Sequence, residues 1–176
     1  MAALEPSDDT ALIIRVELPA ALAALRLRND ANAADGIPAH VTLLYPFAAP
    51  ASIDDGVLGV VADIVAGHAA WSIVLGERRR WPGTLYASVE PEAPVRALQA
   101  DLAAAFPTLP LYGGSYPFTP HVTISEGPGA LDPAVSADPA WGDLPFAWEA
   151  DAVELIVHGE DGRWHVARRF PLGERG

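Results

Sequence analysis

The sequence predicts an α+β fold in which the sheets are largely antiparallel. Segments with a strand pattern outnumber helical segments, and the two kinds do not alternate as they do in a doubly wound parallel sheet. The two halves of the 176-residue chain also look alike. Each half has a strand, a helix opened by proline, a loop that contains proline, and a strand that begins with His-Val-Thr. A weak internal duplication is therefore predicted.

The first half opens with a polar, acidic stretch over residues 1–10, which we predict to be frayed. Alternating apolar residues then predict a strand, and a proline followed by alanine and leucine predicts a helix with a buried stripe. We expect Ser52 to cap the second helix, with Asp54 and Asp55 in its first turn. The predicted segments are strand 11–18, helix 19–29, loop 30–39, strand 40–47 and helix 52–66.

The second half opens with two strand-like segments on either side of four charged residues, Glu77 to Arg80, which indicates a hairpin with a charged turn. A third helix follows, and its Leu98 and Leu102 lie on one face. A loop rich in proline and glycine leads to the second His-Val-Thr strand. The predicted segments are strands 71–76 and 84–90, helix 91–106, loop 107–117, strand 118–125, an irregular stretch 126–145, and strands 146–157 and 163–170.

Composition excludes several classes of protein. No apolar run reaches the roughly 20 residues that cross a bilayer, and no signal-peptide pattern is present, so we predict a cytoplasmic protein without a membrane partner. The absence of cysteine removes disulfides, thiolate nucleophiles and cysteine zinc sites. We expect no metal and no cofactor. The net charge of -12 works against binding long nucleic acid, although it leaves room for a small phosphate ligand.

The paired motif is the most informative feature of the sequence. PAHVTL occupies residues 38–43, and TPHVTI occupies residues 119–124. Because side chains alternate between the faces of a strand, His40 shares a face with Thr42, and His121 shares a face with Thr123. A single His-x-Thr is common and uninformative, but two copies at corresponding places are hard to obtain by chance. We expect the four side chains to line one cleft.

These residue types suit the cleavage of a cyclic phosphodiester. The reaction needs a base to deprotonate the attacking water and an acid to protonate the leaving ribose oxygen. Histidine titrates near neutral pH and can do either. The threonine hydroxyls of both motifs can donate to phosphoryl oxygens that carry developing charge. We therefore predict His40, Thr42, His121 and Thr123 as the catalytic residues.

The two motifs resemble those of the two-histidine (2H) phosphoesterase superfamily, in particular its bacterial branch related to 2′-5′ RNA ligases and cyclic phosphodiesterases. Leu18-Pro19, Tyr45-Pro46-Phe47 and the closing strands extend the likeness over nearly the whole chain. The resemblance implies one bilobal domain over residues 1–176, with two sheets around a central cleft and helices outside. It also implies chemistry that needs no metal. Many RNA-processing relatives have a basic residue shortly after the second motif, whereas this chain has Ser125-Glu126.

Two further side chains are candidates for holding the phosphate. Arg15 lies in the middle of the first strand and could hold a phosphate oxygen, or it could pair with Glu17 or another acid at the sheet surface. Ser125 falls on the face of His121 and could donate to the phosphate. The other three histidines are expected to be structural or on the surface; they are His68, His158 and His165.

Three more candidates could contact the rest of a substrate. Tyr86 and Ser88 alternate with the core face of their strand, so Tyr86 could stack on a base or ribose, or could be a half-buried sheet tyrosine. Phe118 ends the loop that leads to His121 and could form a wall of the site, or could anchor that loop.

The sequence therefore predicts an enzyme that hydrolyses a 2′,3′-cyclic phosphate on a nucleotide or an RNA 3′ end, acting as a monomer. Ligation is the same chemistry with a ribose hydroxyl in place of water, so a reversible 2′-5′ RNA ligase activity stays open. One alternative is a protein that binds a nucleotide or RNA end in the same cleft without turnover. A purely structural partner-binding module is a second alternative, but it leaves the repeated motif unexplained.

Overall fold

The computed structural model describes residues 4–174 of the chain. The described residues form strands β1 Pro6–Ser7, β2 Thr10–Arg15, β3 His40–Leu44, β4 Phe47–Ala48, β5 Trp71–Trp81, β6 Thr84–Glu90, β7 His121–Glu126, β8 Phe146–Ala150, β9 Ala152–His158 and β10 Trp164–Pro171. The α-helices are α1 Ala20–Asn29, α2 Ala31–Ala34, α3 Asp55–Ala66, α4 Glu92–Ala105 and α5 Pro133–Ser136. Short 3₁₀ segments span Pro50–Ser52, Leu111–Gly114 and Pro139–Asp143.

Two four-stranded sheets form the body of the protein. Their strand orders are β10-β9-β2-β3 and β7-β6-β5-β8, and neighbouring strands are antiparallel throughout both. The predicted α+β fold with antiparallel sheets is therefore confirmed. β3 begins with His40 and β7 begins with His121, and each is the edge strand of its sheet. The two edge strands lie against each other, so the two motifs meet where the sheets adjoin.

Each of the two longer helices that precede the motifs connects strands of one sheet and packs against the other sheet. α1 connects β2 to β3 in the first sheet, but it lies along β7 of the second. α4 connects β6 to β7 in the second sheet, but it contacts β3 of the first. Each helix thus packs against the edge strand of the other sheet. Within residues 4–174, no helix combines the length and apolar character needed to cross a membrane.

One hydrophobic cluster joins both sheets and the helices α1, α3 and α4. Fully buried members from each of these elements are Leu12, Leu22, Leu43, Val61, Leu75, Leu98 and Val122. Burying each such side chain contributes about 1.5–3 kcal/mol. A second, smaller cluster lies on the His40 face of the first sheet, where Ala11, Ile13 and Ile156 are buried. Ala11 and Ile156 of this cluster form part of the apolar lining of the smaller cavity described below.

Two predictions for the second half of the chain were wrong. The charged run from Glu77 to Arg80 is not a turn, because β5 continues through Trp81 and the chain reverses at Pro82-Gly83, where glycine takes a φ of 78°. The turn-forming residues, rather than the charges, decide the position of the hairpin. The predicted strand 146–157 is two strands in different sheets, since β8 pairs with β5 and β9 pairs with β2.

The N-terminal predictions also need correction. Residues 1–3 lie outside the described part of the chain, but residues 4–10 are folded: Leu4 and Thr10 are buried, and β1 pairs with β4. The cap of α3 is Asp54 rather than Ser52, because the Asp54 carboxylate accepts the N–H of Val57 at 2.9 Å. The predicted loop 30–39 contains the short helix α2.

Candidate active site

The two histidines are held in the same way at the start of their strands. The Nδ1–H of His40 donates to the carbonyl oxygen of Pro38 at 2.8 Å, and the Nδ1–H of His121 donates to that of Thr119 at 2.7 Å. Because a carbonyl oxygen only accepts, Nδ1 carries the proton in each ring, and Nε2 of the neutral imidazole is the acceptor. Both rings therefore present the nitrogen that a general base uses.

Burial keeps both imidazoles neutral at pH 7. It lowers the pKa of His40 from 6.5 to about 4; the hydrogen bond to Pro38 opposes this shift, and the charge of Arg26 adds to it. Burial also lowers the pKa of His121, and the hydrogen bond to Thr119 opposes it. Since an opposite charge favours a protonated imidazole, an anion bound beside either ring would raise its pKa.

This shift predicts that the protein loses stability as the pH falls below neutrality. The unfolded chain takes up a proton on His40 near its ordinary pKa of 6.5, whereas the folded protein resists until about pH 4. The stabilising contribution of neutral His40 is therefore complete above about pH 6.5 and declines as the pH falls towards 4. Melting temperatures between pH 7.5 and 5 should fall more steeply for the wild type than for His40→Gln. Equal slopes for the two proteins would contradict the prediction.

The two motif threonines reach one small cavity of about 230 Å³, which His40 also lines. The Thr42 hydroxyl donates to Nε2 of His40 at 3.1 Å, so it lies on the reactive side of that ring. His121 lines a neighbouring, larger cavity of about 560 Å³. Tyr112 and Glu126 line both cavities, so the two spaces adjoin. The structure thus brings the four motif residues to two adjoining cavities rather than to one.

Arg26 was not predicted as a site residue, yet its buried guanidinium lines the smaller cavity. It donates to the carbonyl oxygens of Thr123 at 3.2 Å and Ile37 at 2.9 Å, and it forms an ion pair with Asp30 at 2.9 Å. It therefore ties the strand of the second motif to the loop that leads into His40. The available sequence signal is an arginine next to Leu25 on the apolar face of α1, with Asp30 four residues later.

A β-bulge in β7 exchanges the predicted positions of Ser125 and Glu126. Tyr86 faces Thr123, while its neighbour Leu85 faces Ser125, so the ladder skips Ile124. Ser125 is therefore buried, and its hydroxyl lies 3.2 Å from the carbonyl oxygen of Asn29 instead of facing the cleft. Glu126 takes its place and lines both cavities. Strict alternation of side chains fails here because a bulge adds one residue to a strand.

Aromatic rings surround His121. Trp81 stacks on Tyr86 with centroids 4.1 Å apart, and both rings meet His121 edge to face, at 4.7 and 5.5 Å. Tyr86 is buried beneath Trp81, so the predicted stacking surface belongs to Trp81, which lines the larger cavity. Tyr112 and Tyr116 line the same cavity. Tyr112 has the left-handed φ of 49°, a strained conformation of the kind found at functional sites.

Three other candidate side chains lie outside both cavities, and other contacts explain their positions. Arg15 is half-exposed, and its guanidinium lies 3.9 Å from the Glu154 carboxylate. This agrees with the second of the two alternatives for Arg15, a pairing with an acid of the sheet. The buried Ser88 hydroxyl accepts the N–H of Glu77 at 2.9 Å. Phe118 lies 5.6 Å from the guanidinium of an arginine on α4, so it anchors its loop.

Within residues 4–174, no group of three His, Cys, Asp or Glu side chains could hold a metal ion. The remaining histidines each lie beside an aspartate, at 2.9 to 3.8 Å, away from both cavities. The chemistry available to the cleft is therefore that of two imidazoles, hydroxyl groups, one buried ion pair and one carboxylate.

The family model of the 2′-5′ RNA ligase superfamily matches residues 15–162. Similar solved structures include TT0787 of Thermus thermophilus, which is 16% identical, with 96% of this chain and 100% of that one covered at a TM-score of 0.63. E. coli LigT complexed with 3′-AMP is 15% identical, with 96% and 99% covered at a TM-score of 0.57. LigT complexed with ATP is 15% identical, with 97% and 100% covered at 0.58. No curated protein matches by sequence.

Proposed function

The chain belongs to the 2′-5′ RNA ligase superfamily, and on that premise we propose that it hydrolyses the 2′,3′-cyclic phosphate of a small nucleotide without a metal ion. The observation that carries this proposal is the matched anchoring of His40 and His121, each bound through Nδ1 to the carbonyl two residues earlier. Two imidazoles that line adjoining cavities, each with Nε2 as its acceptor, suit paired acid and base catalysis.

In the proposed reaction, one imidazole removes a proton from water as its oxygen attacks phosphorus. The other gives the Nε2 proton to the ribose oxygen as the phosphorus–oxygen bond of the ring breaks. The products are a nucleoside phosphomonoester and an enzyme in which the two histidines have exchanged proton states. The Thr42 hydroxyl, which donates to His40 here, would turn to a phosphoryl oxygen in the complex.

We assign the base to His40 and the acid to His121, because their surroundings differ. The charge of Arg26 adds to burial in lowering the pKa of His40, which favours the neutral imidazole of a base. The pKa of His121 is lowered by burial alone, with no neighbouring charge among the described residues adding to it, and the hydrogen bond to Thr119 opposes the shift, which makes His121 the easier of the two to protonate. Pairs of titratable groups in contrasting surroundings commonly divide acid and base roles in this way.

The charge of the cleft supports a small monoanionic diester in preference to a longer RNA end. Among the described residues, Arg26 is the one arginine that lines either cavity, and Asp30 pairs with it. Glu126 adds a carboxylate at the junction of the cavities. Each additional phosphate of an RNA would enter without a free cation to bind it. LigT, a protein of similar fold, has been crystallised with 3′-AMP and with ATP.

The test is turnover of 2′,3′-cyclic nucleotides and of short RNAs that end in a cyclic phosphate, followed by phosphorus NMR. Activity should be unchanged in excess EDTA, and cyclic mononucleotides should be the better substrates. Loss of activity in EDTA that added Mg²⁺ or Mn²⁺ restores would refute the metal-independent mechanism. Binding of nucleotides without turnover of either substrate class would instead favour the non-catalytic binding protein.

A further inference from the structure

The carboxylate of Glu126 lies at the junction of the two cavities, where the sequence predicted a serine. Its Oε2 accepts one hydrogen bond, from the side-chain amide of Asn32 at 3.1 Å. Burial and the charge of Asp30 raise its pKa, and the charge of Arg26 only partly offsets them. This carboxylate would therefore gain from additional N–H donors that a ligand brings into the cleft.

The larger cavity beside Glu126 suits a flat ring. Trp81 and Tyr116 line it and remain exposed, at 36% and 72%, although large aromatic side chains are usually more buried. His121 lines the same cavity. A base held there could therefore belong to the same nucleotide as the phosphate on which His121 is proposed to act. Its volume of about 560 Å³ is in the range of small-ligand pockets. Unpaired bases are commonly bound by stacking on such side chains.

We propose that the larger cavity holds the base of the substrate and that Glu126 selects guanine, an inference that rests on the proposed function. Guanine presents two adjacent donors, N1–H and the N2 amino group, and a carboxylate can accept from both. Adenine and cytosine present one donor beside a ring-nitrogen acceptor, and uracil presents one donor between two carbonyl oxygens. These acceptors would face the negative charge of Glu126, so the other bases should bind less well.

The experiment compares kcat/KM for the 2′,3′-cyclic phosphates of guanosine, inosine, adenosine, cytidine and uridine. For the wild type we expect guanosine to exceed adenosine by about 10-fold or more, which is the usual discrimination of a paired hydrogen-bond contact. Inosine keeps N1–H but lacks the N2 amino group, so it should fall between them. Glu126→Gln should reduce the spread among the bases severalfold, chiefly by slowing guanosine. Glu160→Gln, an exposed site lining neither cavity, should keep the wild-type order.

Binding of guanosine and adenosine 3′-monophosphates, measured by calorimetry, provides a second readout that needs no turnover. The same preference for guanine, reduced in Glu126→Gln, would support the inference. The absence of a guanine preference in the wild type would overturn it, and so would a preference that Glu126→Gln leaves unchanged. Failure to turn over any cyclic nucleotide would refute the proposed activity, and the calorimetric comparison would then decide the role of Glu126 alone. Melting temperatures of the variants establish that each is folded.

Discussion

Replacing either His40 or His121 with alanine should lower kcat for a 2′,3′-cyclic nucleotide by about 10²–10⁴-fold, the usual contribution of a positioned acid or base. The affinity for a nucleoside 3′-monophosphate should change much less, because each substitution removes one imidazole from a cleft that keeps its aromatic walls and threonines. The double variant should be little slower than the worse single variant, since residues that act in one proton-transfer step are not additive. Steady-state kinetics and calorimetry measure these quantities.

The matched control is His165→Ala, which removes an exposed histidine that bonds to Asp161 and lines neither cavity. It should retain wild-type kcat. A loss smaller than about 10-fold in either His40→Ala or His121→Ala would refute the paired mechanism. A comparable loss in the control would point to a general effect on folding.

The roles of the two histidines can be separated with a nucleoside 3′-(p-nitrophenyl phosphate). Its leaving group departs without a proton, so a missing acid matters less than a missing base. If His121 is the acid, His121→Ala should lose much less activity on this diester than on the cyclic substrate. His40→Ala should lose a similar factor on both. The opposite pattern would reverse the assignment.

The second large effect is expected at Arg26. Arg26→Ala should lower the free energy of unfolding by about 3–5 kcal/mol, because it leaves the Asp30 carboxylate buried without its ion pair. It also removes the donors to the carbonyl oxygens of Thr123 and Ile37. Since these carbonyls belong to the segments that carry the two motifs, kcat should fall as well, even in buffer where the variant is folded.

Two further variants make the stability measurement decisive. Arg28→Ala removes an exposed arginine of the same helix, paired with Asp138 at 3.4 Å, and should cost less than about 1 kcal/mol. The double variant Arg26→Met with Asp30→Leu removes both buried charges and should recover much of the stability lost in Arg26→Ala. Urea denaturation measures all three. If Arg26→Ala were as mild as Arg28→Ala, the bridging role of Arg26 would be wrong.

The sequence was sufficient to predict the fold class and the boundaries of α1 and α4. Hydrophobic periodicity and proline positions determine such elements locally. The repeated His-x-Thr also predicted the similar placement of β3 and β7, because the same short strand follows a loop in each half. Their meeting as two sheet edges depends on pairing between distant strands, which no local pattern reports.

The parts of the site that were missed arise from contacts between distant segments. The bulge that turns Glu126 into the cleft depends on how β7 pairs with β6, and the six residues of β7 contain no glycine or proline to mark it. In the sequence, Arg26 is indistinguishable from any other arginine of an alanine-rich helix. Its role depends on the packing of α1 against β7. Trp81 was predicted to lie just after the turn at residues 77–80, outside any strand. Its stacking on Tyr86 therefore could not be predicted.

The crossed packing of α1 and α4 makes the two halves dependent on each other for solubility as well as for shape. If one half opened, the edge strand of the other would lose the helix that packs against it and would be more exposed to solvent and to other chains. Such an edge readily pairs with another chain and begins aggregation. Partial opening is therefore hazardous, and the arrangement favours unfolding in a single cooperative transition. The two halves thus repeat the same elements, but the helix that packs against each edge strand comes from the other half.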